Sequence, residues 1–261
     1  VIRARKRFGQ HFLHDPAVIA RIVAAIALRR GDAAVEIGPG RGALTAGLLE
    51  AAGQLDAVEI DRDLAALLRT RFAAEPRFVL HECDALEMDW QGLSRARGAR
   101  LRLIGNLPYN ISTPLLFRLL RDAEAMLDMH FMLQKEVVDR ILAAPGSRTY
   151  GRLTVMLKPL VTASRVLEVG PGAFQPPPQV SSAMVRLVIN PAPPDWARSP
   201  LFAAVVTAAF GQRRKTLRNA LGGLLGAAQI SALGIDPGAR AEVLAPEQFG
   251  ALARAAAAGI R

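Results

Sequence analysis

Between residues 33 and 133, short apolar runs alternate with helical stretches, and this alternation constrains the fold more than any other feature. Residues 33–37, 55–60, 77–81, 101–105 and 129–133 read as strands. Helical patterns at 43–52, at 64–72 and after Pro114 fall between them. Strands joined through helices pair in parallel, because the chain must cross back over the sheet before the next strand begins. The expected fold class is therefore α/β, a parallel sheet with helices on both faces. Residues 167–169 and 180–189 read as later strands. The second alternates through Val180, Ser182, Met184, Arg186 and Val188, as suits an antiparallel edge pair.

Other signals divide the chain. Arg3, Arg5, Lys6 and Arg7 make residues 1–14 a basic arm. Asp15 and Pro16 suit the N-cap and first position of a helix whose apolar face is Val18, Ile19, Ile22, Val23 and Ile26. Residues 190–200 hold four prolines in eleven positions and read as a linker. Residues 201–261 are rich in Ala and Leu without a strand signal. The expected organisation is a main domain over 1–189 and a small helical domain over 201–261.

Charge narrows the partner. Among 261 residues, 33 Lys and Arg face 23 Asp and Glu, a net charge of +10. Codon bias can exchange Lys for Arg but does not create a basic excess, so a polyanion is expected, nucleic acid ahead of an anionic membrane. Cys83 is the single cysteine, which excludes a disulfide scaffold. That, with no signal peptide evident, fits a reducing cytosol. No apolar run is long enough to span a bilayer. There is no lysine-bearing phosphate loop and no paired-histidine metal motif. His81 and His130 fall in strands and are expected to be buried and hydrogen-bonded.

Two features point to a ligand with an adenosine moiety. Gly38-x-Gly40-x-x-Ala43 lies between a strand and a helix, where glycines let a ligand approach the backbone. Glu59 ends the next strand, where a carboxylate can accept from both ribose hydroxyls. These alone do not separate a nicotinamide dinucleotide from S-adenosylmethionine. Glu36, just before the glycines, can face a cation such as an amino group or sulfonium. Asp84 can accept from an adenine amine, or equally be the N-cap of a helix from Ala85 onward. Cys83 beside it reads as a small core residue.

The most specific signal is Asn106-Leu107-Pro108-Tyr109, directly after the fourth strand, where open parallel sheets hold their reacting groups. An adenine amine is a poor nucleophile, because its lone pair is delocalised into the ring. The Asn106 side-chain oxygen and a main-chain carbonyl at Leu107 or Pro108 could each accept one of its N–H groups and favour a more tetrahedral nitrogen. Tyr109 could stack on the base once it has left its helix or loop. Phe174, in a proline-rich loop, could stack on the other face or simply anchor that loop. Arg213, Arg214, Lys215 and Arg218 are expected on a helix of the small domain, where with Arg5, Lys6 and Arg7 they could bind phosphates.

With these residues in view, the chain resembles the KsgA, or RsmA, family of small-subunit rRNA adenine dimethyltransferases. The resemblance spans nearly the whole chain. It rests on Arg5-Lys-Arg-Phe-Gly-Gln10, Val35-Glu-Ile-Gly-Pro-Gly40, Glu59-Ile-Asp61, Ile104-Gly-Asn-Leu-Pro-Tyr-Asn-Ile-Ser-Thr-Pro114, Met129-His-Phe-Met-Leu-Gln-Lys-Glu136, Tyr150-Gly-Arg-Leu153, Ala173-Phe-Gln-Pro-Pro-Pro178 and Phe210-Gly-Gln-Arg-Arg-Lys-Thr-Leu217. It implies a Rossmann-like methyltransferase sheet with a small C-terminal helical domain. It also implies transfer of two methyl groups from S-adenosylmethionine to N6 of each of two adjacent adenines in the 3′-terminal hairpin of small-subunit rRNA, late in ribosome assembly. By resemblance, His11, Leu13, Gly38, Glu59, Asp84 and Asn106 bind the cofactor. Asn106, Leu107, Pro108 and Tyr109 hold the target amine, with Phe174 as the second stacking partner. The implied partner is a 30S assembly particle, the expected state a monomer in the cytoplasm, and no metal or membrane is involved.

One position departs from the family, where His11 is usually Asn. An imidazole can still donate one hydrogen bond and accept another, and its protonation would make cofactor affinity sensitive to pH. The competing readings are a large-subunit rRNA adenine methyltransferase of the resistance type and an RNA-binding assembly factor with secondary methylation. DNA adenine or protein glutamine methyltransferases share the Asn-x-Pro-aromatic turn, but not the match over the whole chain.

Overall fold

The computed structural model describes residues 11–108, 111–212 and 214–259. Two compact units emerge. One comprises the chain up to Val138 together with Ser164–Ile189; the other comprises Asp139–Ala163 together with the chain from Asn190 onward.

The first unit opens with the short strand β1 (Phe12–Leu13) and helix α1 (Pro16–Ile26). As expected, Asp15 caps α1, accepting from the N–H groups of Ala17 and Val18 at 2.9 and 3.1 Å. Then follow β2 (Ala33–Ile37), α2 (Thr45–Ala52), β3 (Leu55–Val58), α3 (Arg62–Arg71), β4 (Phe78–His81), α4 (Trp90–Arg97), β5 (Leu101–Asn106), α5 (Ser112–Arg121) and β6 (Met126–Gln134). Helix α6 (Lys135–Leu142) leads into the second unit, which holds α7 (Arg152–Leu157). The chain returns through β7 (Val161–Val169), and β8 (Phe174–Gln175) and β9 (Ser182–Ile189) complete the first unit.

Seven strands form one sheet in the order β4-β3-β2-β5-β6-β9-β7. The pairs from β4 through β6 are parallel, and β9 runs antiparallel to β6. Strands β2 and β3 are apolar almost throughout because helices cover both faces of a parallel sheet. The strand expected at 167–169 begins at Val161; Thr162, Ser164 and Arg165 had broken its apolar signal. Strand β9 lies inside the sheet, with β7 outside it. Ser182, Ala183, Met184 and Val185 are all buried, so the half-buried alternation expected there is not what the strand shows.

A buried ionic group ties the far ends of β5 and β6 to α1. Arg102 donates to both oxygens of Asp128 at 2.9 and 3.0 Å and to Asp32 at 2.7 Å. It also satisfies the last-turn carbonyls of Ile26 and Ala27 at 3.0 and 3.2 Å. His130, on β6 beside this group, is buried as expected, but its Nδ1 has no hydrogen bond and lies 3.8 Å from Asp128. His81, half-buried, meets Asp56 at 2.8 Å.

The second unit is helical, with α8 (Pro200–Gly211), α9 (Leu217–Ala220), α10 (Ala227–Ala232) and α11 (Pro246–Gly259). Its extent corrects the expected division. Ala143, Tyr150 and Val155, placed in the main domain by sequence, bury among Phe202, Val205, Val206, Phe249 and Leu252. The Tyr150 hydroxyl donates to the Leu244 carbonyl at 2.7 Å. Nor is 190–200 a free linker. The Trp196 ring packs 4.9 Å from that of Phe202, and a Cβ on Gly250 would lie 2.5 Å from the indole. Among the described residues, no helix is long and apolar enough to cross a membrane.

Candidate active site

The carboxyl ends of β2, β3 and β5 and residues 11–13 surround a cavity of about 340 Å³, within the range of small-molecule sites. His11, Leu13, Gly38, Glu59, Asp84 and Asn106 all line it, as do Leu107 and Pro108.

The glycine turn forms the floor. Gly40 has φ of +59°, and a Cβ there would also press to 3.2 Å from the Phe12 ring. Its N–H donates to Glu59 Oε2 at 3.1 Å, and Gly38 N–H donates to the Val58 carbonyl at 2.9 Å. The end of β3 thus braces the turn after β2. Glu59 Oε1 accepts from Asp61 N–H at 2.9 Å. Burial pushes the Glu59 carboxyl above the usual range, although these main-chain donors hold it back.

Glu36 is 2% exposed and also lines the cavity. The Thr45 hydroxyl donates to its Oε2 at 2.6 Å. Burial raises this carboxyl to about 7; the Thr45 bond opposes the shift and the neighbouring Glu59 charge adds to it. Asp84 Oδ1 accepts from Leu86 N–H at 2.8 Å, but it caps a turn and not the helix expected from Ala85, and its other oxygen is the one available to a ligand.

Asn106 ends β5. Its Nδ2 donates to the His11 main-chain carbonyl at 3.0 Å. Leu107 N–H donates to the Met132 carbonyl at 3.2 Å, which ties the turn to β6. The Pro108 carbonyl accepts from Ile111 N–H at 3.2 Å. Tyr109 lies outside the described residues.

Three residues around this site, Phe12, Ile60 and Gly105, were not singled out from the sequence, and a fourth, Cys83, was placed in the core. Phe12 lines the cavity, with the Arg41 guanidinium 4.4 Å above its ring. Ile60, 49% exposed, offers the cavity an apolar surface directly after Glu59. Cys83 lines the cavity too and is only half-buried, not a core residue. Gly105 lies against the Ile37 main chain, where a Cβ would come within 2.7 Å of the carbonyl oxygen. A glycine inside a strand is the one signal that could have found it.

Phe174 does not line the cavity. It is 2% exposed and packs in the core with Leu13, Ala173 and Met184. That is the anchoring position, and a stacking role would require the ring to leave the core. The basic run is also placed differently. Arg214, Lys215 and Arg218 are exposed, but Lys215 N–H closes a turn on the Gln212 carbonyl at 2.9 Å, and of these three only Arg218 lies on a helix. Helix α8 ends at Gly211, before the run begins. Arg5, Lys6, Arg7 and Arg213 lie outside the described residues. Among the described residues, no group of His, Cys, Asp and Glu could hold a metal ion.

A family model described as ribosomal RNA adenine dimethylase matches residues 1–257. The chain belongs to this family. It is 54% identical over 250 residues to the ribosomal RNA small subunit methyltransferase A of Methylococcus capsulatus, covering 96% of each chain. The protein of the same name from Pseudomonas aeruginosa is 54% identical, over 93% of this chain and 90% of its own. Among solved structures, a dimethyladenosine transferase from Plasmodium falciparum superposes with a TM-score of 0.79 at 24% identity, covering 93% and 96%. The 23S rRNA methyltransferase ErmE superposes at 0.68 with 27% identity, covering 94% and 98%. As a ribosomal RNA adenine dimethylase, the protein is an S-adenosylmethionine-dependent methyltransferase with a Rossmann-like sheet. The residues around the cavity fit that cofactor. A buried acid follows β3, Asp84 keeps an oxygen for an amine, Ile60 offers an apolar contact, and Glu36 lines the cavity, where it can face a cation.

Proposed function

We propose that this protein transfers methyl groups from S-adenosylmethionine to N6 of two adjacent adenines in the 3′-terminal hairpin of small-subunit rRNA, giving N6,N6-dimethyladenosine. The observation that carries the chemistry is the placement of Asn106 and Leu107 on the wall of the cofactor cavity. Small-subunit rRNA is favoured over large-subunit rRNA because relatives named for the small subunit are 54% identical, against 27% for ErmE.

S-adenosylmethionine supplies an electrophilic methyl group on a sulfonium. The protein supplies placement. Glu59 holds the ribose, with Asp84 and Ile60 about the adenine. Asn106 Oδ1 accepts one N–H of the target amine. A main-chain carbonyl at Leu107 or Pro108 accepts the other. These two bonds aim the nitrogen lone pair at the methyl group, and such alignment is a large source of rate acceleration. No strong base is needed, since the amine becomes acidic only as it gains the methyl. Tyr109 stacks on the flipped base. Arg5, Lys6, Arg7, Arg213, Arg214, Lys215 and Arg218 meet phosphates. The substrate is a 30S assembly particle, and the enzyme acts as a monomer in the cytoplasm.

The test uses tritiated-methyl S-adenosylmethionine with unmethylated small subunits, naked rRNA and large subunits in parallel. Label in N6,N6-dimethyladenosine from small subunits alone is expected. Label only in large-subunit RNA would move the acceptor to the resistance-type site. Cofactor binding without label anywhere would leave an RNA-binding assembly factor as the better reading.

A further inference from the structure

We propose that residues 11–13 form a positioning strap that fixes which way the Asn106 amide faces, and that the His11 imidazole fastens this strap. The inference rests on Asn106 as the acceptor of the target amine.

An Asn amide presents an oxygen on one side and an N–H donor on the other, and rotation about its last torsion exchanges them. Only the oxygen can accept from an adenine amine; the reversed amide would set N–H against N–H. Some group must therefore hold the nitrogen away. The His11 carbonyl does this, 3.0 Å from Asn106 Nδ2, because a carbonyl can accept but never donate. Asn106 Oδ1 is then the atom presented to the base.

The position of that carbonyl depends on how the strap is held. Phe12 pairs with Gln175 and Leu13 with Phe174 in an antiparallel ladder. His14 N–H donates to the Ala173 carbonyl at 3.0 Å. At the end nearest Asn106, the tie is a side chain: His11 Nδ1 lies 2.8 Å from the Pro176 carbonyl, so Nδ1 carries the proton. Three distant stretches of chain, at 11, 106 and 176, are thereby coupled through one residue.

The geometry of the bond also says which side chains could replace His11. Asn Nδ2 and His Nδ1 are the same number of bonds from Cα, so either side chain can donate to the Pro176 carbonyl. Ala offers no donor, Asp offers only lone pairs, and the Gln nitrogen sits one bond too far.

The experiment compares His11→Ala, His11→Asp, His11→Asn and Asn106→Ala with the parent. It reads single-turnover methylation of small subunits and, separately, S-adenosylmethionine binding without RNA. Expected is a fall of about 10- to 100-fold in the methylation rate for His11→Ala and His11→Asp. Because His11 also lines the cavity, the rate is read at saturating S-adenosylmethionine, where a weaker cofactor Kd alone does not lower it. His11→Asn should recover most of the rate lost by His11→Ala. An unchanged rate in His11→Ala overturns the proposal. So does a loss shared equally by His11→Asn, or one that appears wholly in the cofactor Kd. Asn106→Ala separates the two levels of the argument. If it keeps the parent rate, the acceptor reading itself falls. If it is inactive while His11→Ala is not, only the strap falls. Should His11→Ala fail to fold, His11→Gln carries the same comparison.

Discussion

A Cβ atom on Gly105 would lie 2.7 Å from the main-chain oxygen of Ile37. Strands β2 and β5 therefore approach so closely, at the ends that bear the glycine turn and Asn106, that no side chain fits between them. The obstruction is main chain on a central strand, which cannot turn aside as a side-chain tip can. Leu107 Cδ2, at 2.9 Å, closes the other side. Gly105→Ala should cost about 1–3 kcal/mol, the usual penalty of overpacking. Because Asn106 and Leu107 follow directly, the methylation rate should fall further than the loss of folded protein explains. Thermal melting and single-turnover rates on the same preparation check both parts. A normal melting temperature with a normal rate would show that the two strands can separate freely.

Glu36 should make the ligand-free protein less stable as pH rises. Its carboxyl ionises near 7 in the folded chain, against an ordinary 4.5. The fold therefore holds a proton that the unfolded chain has lost between those values. The stabilisation is fully present below 4.5 and is lost as pH rises through 7. Glu36→Gln keeps an oxygen for the Thr45 hydroxyl and removes the titration. The variant should gain on the parent by up to about 3 kcal/mol between pH 4.5 and 8. Melting curves at several pH values, without cofactor, measure this directly. A constant difference between the two proteins would mean that Glu36 is ionised throughout.

His130 works in the opposite direction. Burial lowers it to about 4, and the charges of Arg102 and Arg186 add to the effect of burial while Asp128 opposes it. The fold keeps the ring neutral where the unfolded chain, at 6.5, would take a proton. Stability present above 6.5 is thus lost as pH falls towards 4. His130→Leu should flatten that loss by up to about 3 kcal/mol at pH 4 relative to pH 7. The comparison is of unfolding free energies in urea at each pH. Equal acid sensitivity in both proteins would place the loss elsewhere.

Much of the first unit was legible because parallel strands buried on both faces write themselves as apolar runs. The glycine turn, Glu59 and Asn106 were legible because each sits at the end of such a run. What failed had a common cause, namely contacts between segments far apart in sequence. Tyr150 looked like part of the main domain until its ring and hydroxyl were seen to meet Phe202's helix and Leu244. The prolines of 190–200 suggested a free linker, yet Trp196 is seated against Gly250. The ties from His11 to Asn106 and Pro176 span 95 and 165 residues, and no local pattern announces them.

Phe174 is the residue whose two roles the structure separates most sharply. With 2% of its surface exposed, it packs against Leu13 across the β1–β8 ladder. Phe174→Ala should cost about 3–5 kcal/mol, as for other large core aromatics. That loss alone would not distinguish an anchor from a stacking surface, because both are destroyed. Phe174→Leu does distinguish them. Leucine fills most of the volume at a cost below about 1.5 kcal/mol but offers no aromatic face. For an anchor, kcat/KM on small subunits should stay within about threefold of the parent once folded protein is counted. A fall of about tenfold or more in a Phe174→Leu protein of normal melting temperature would mean that the ring swings out to stack on the base. The strap at His11 would then have to move with it, since Pro176 lies two residues on.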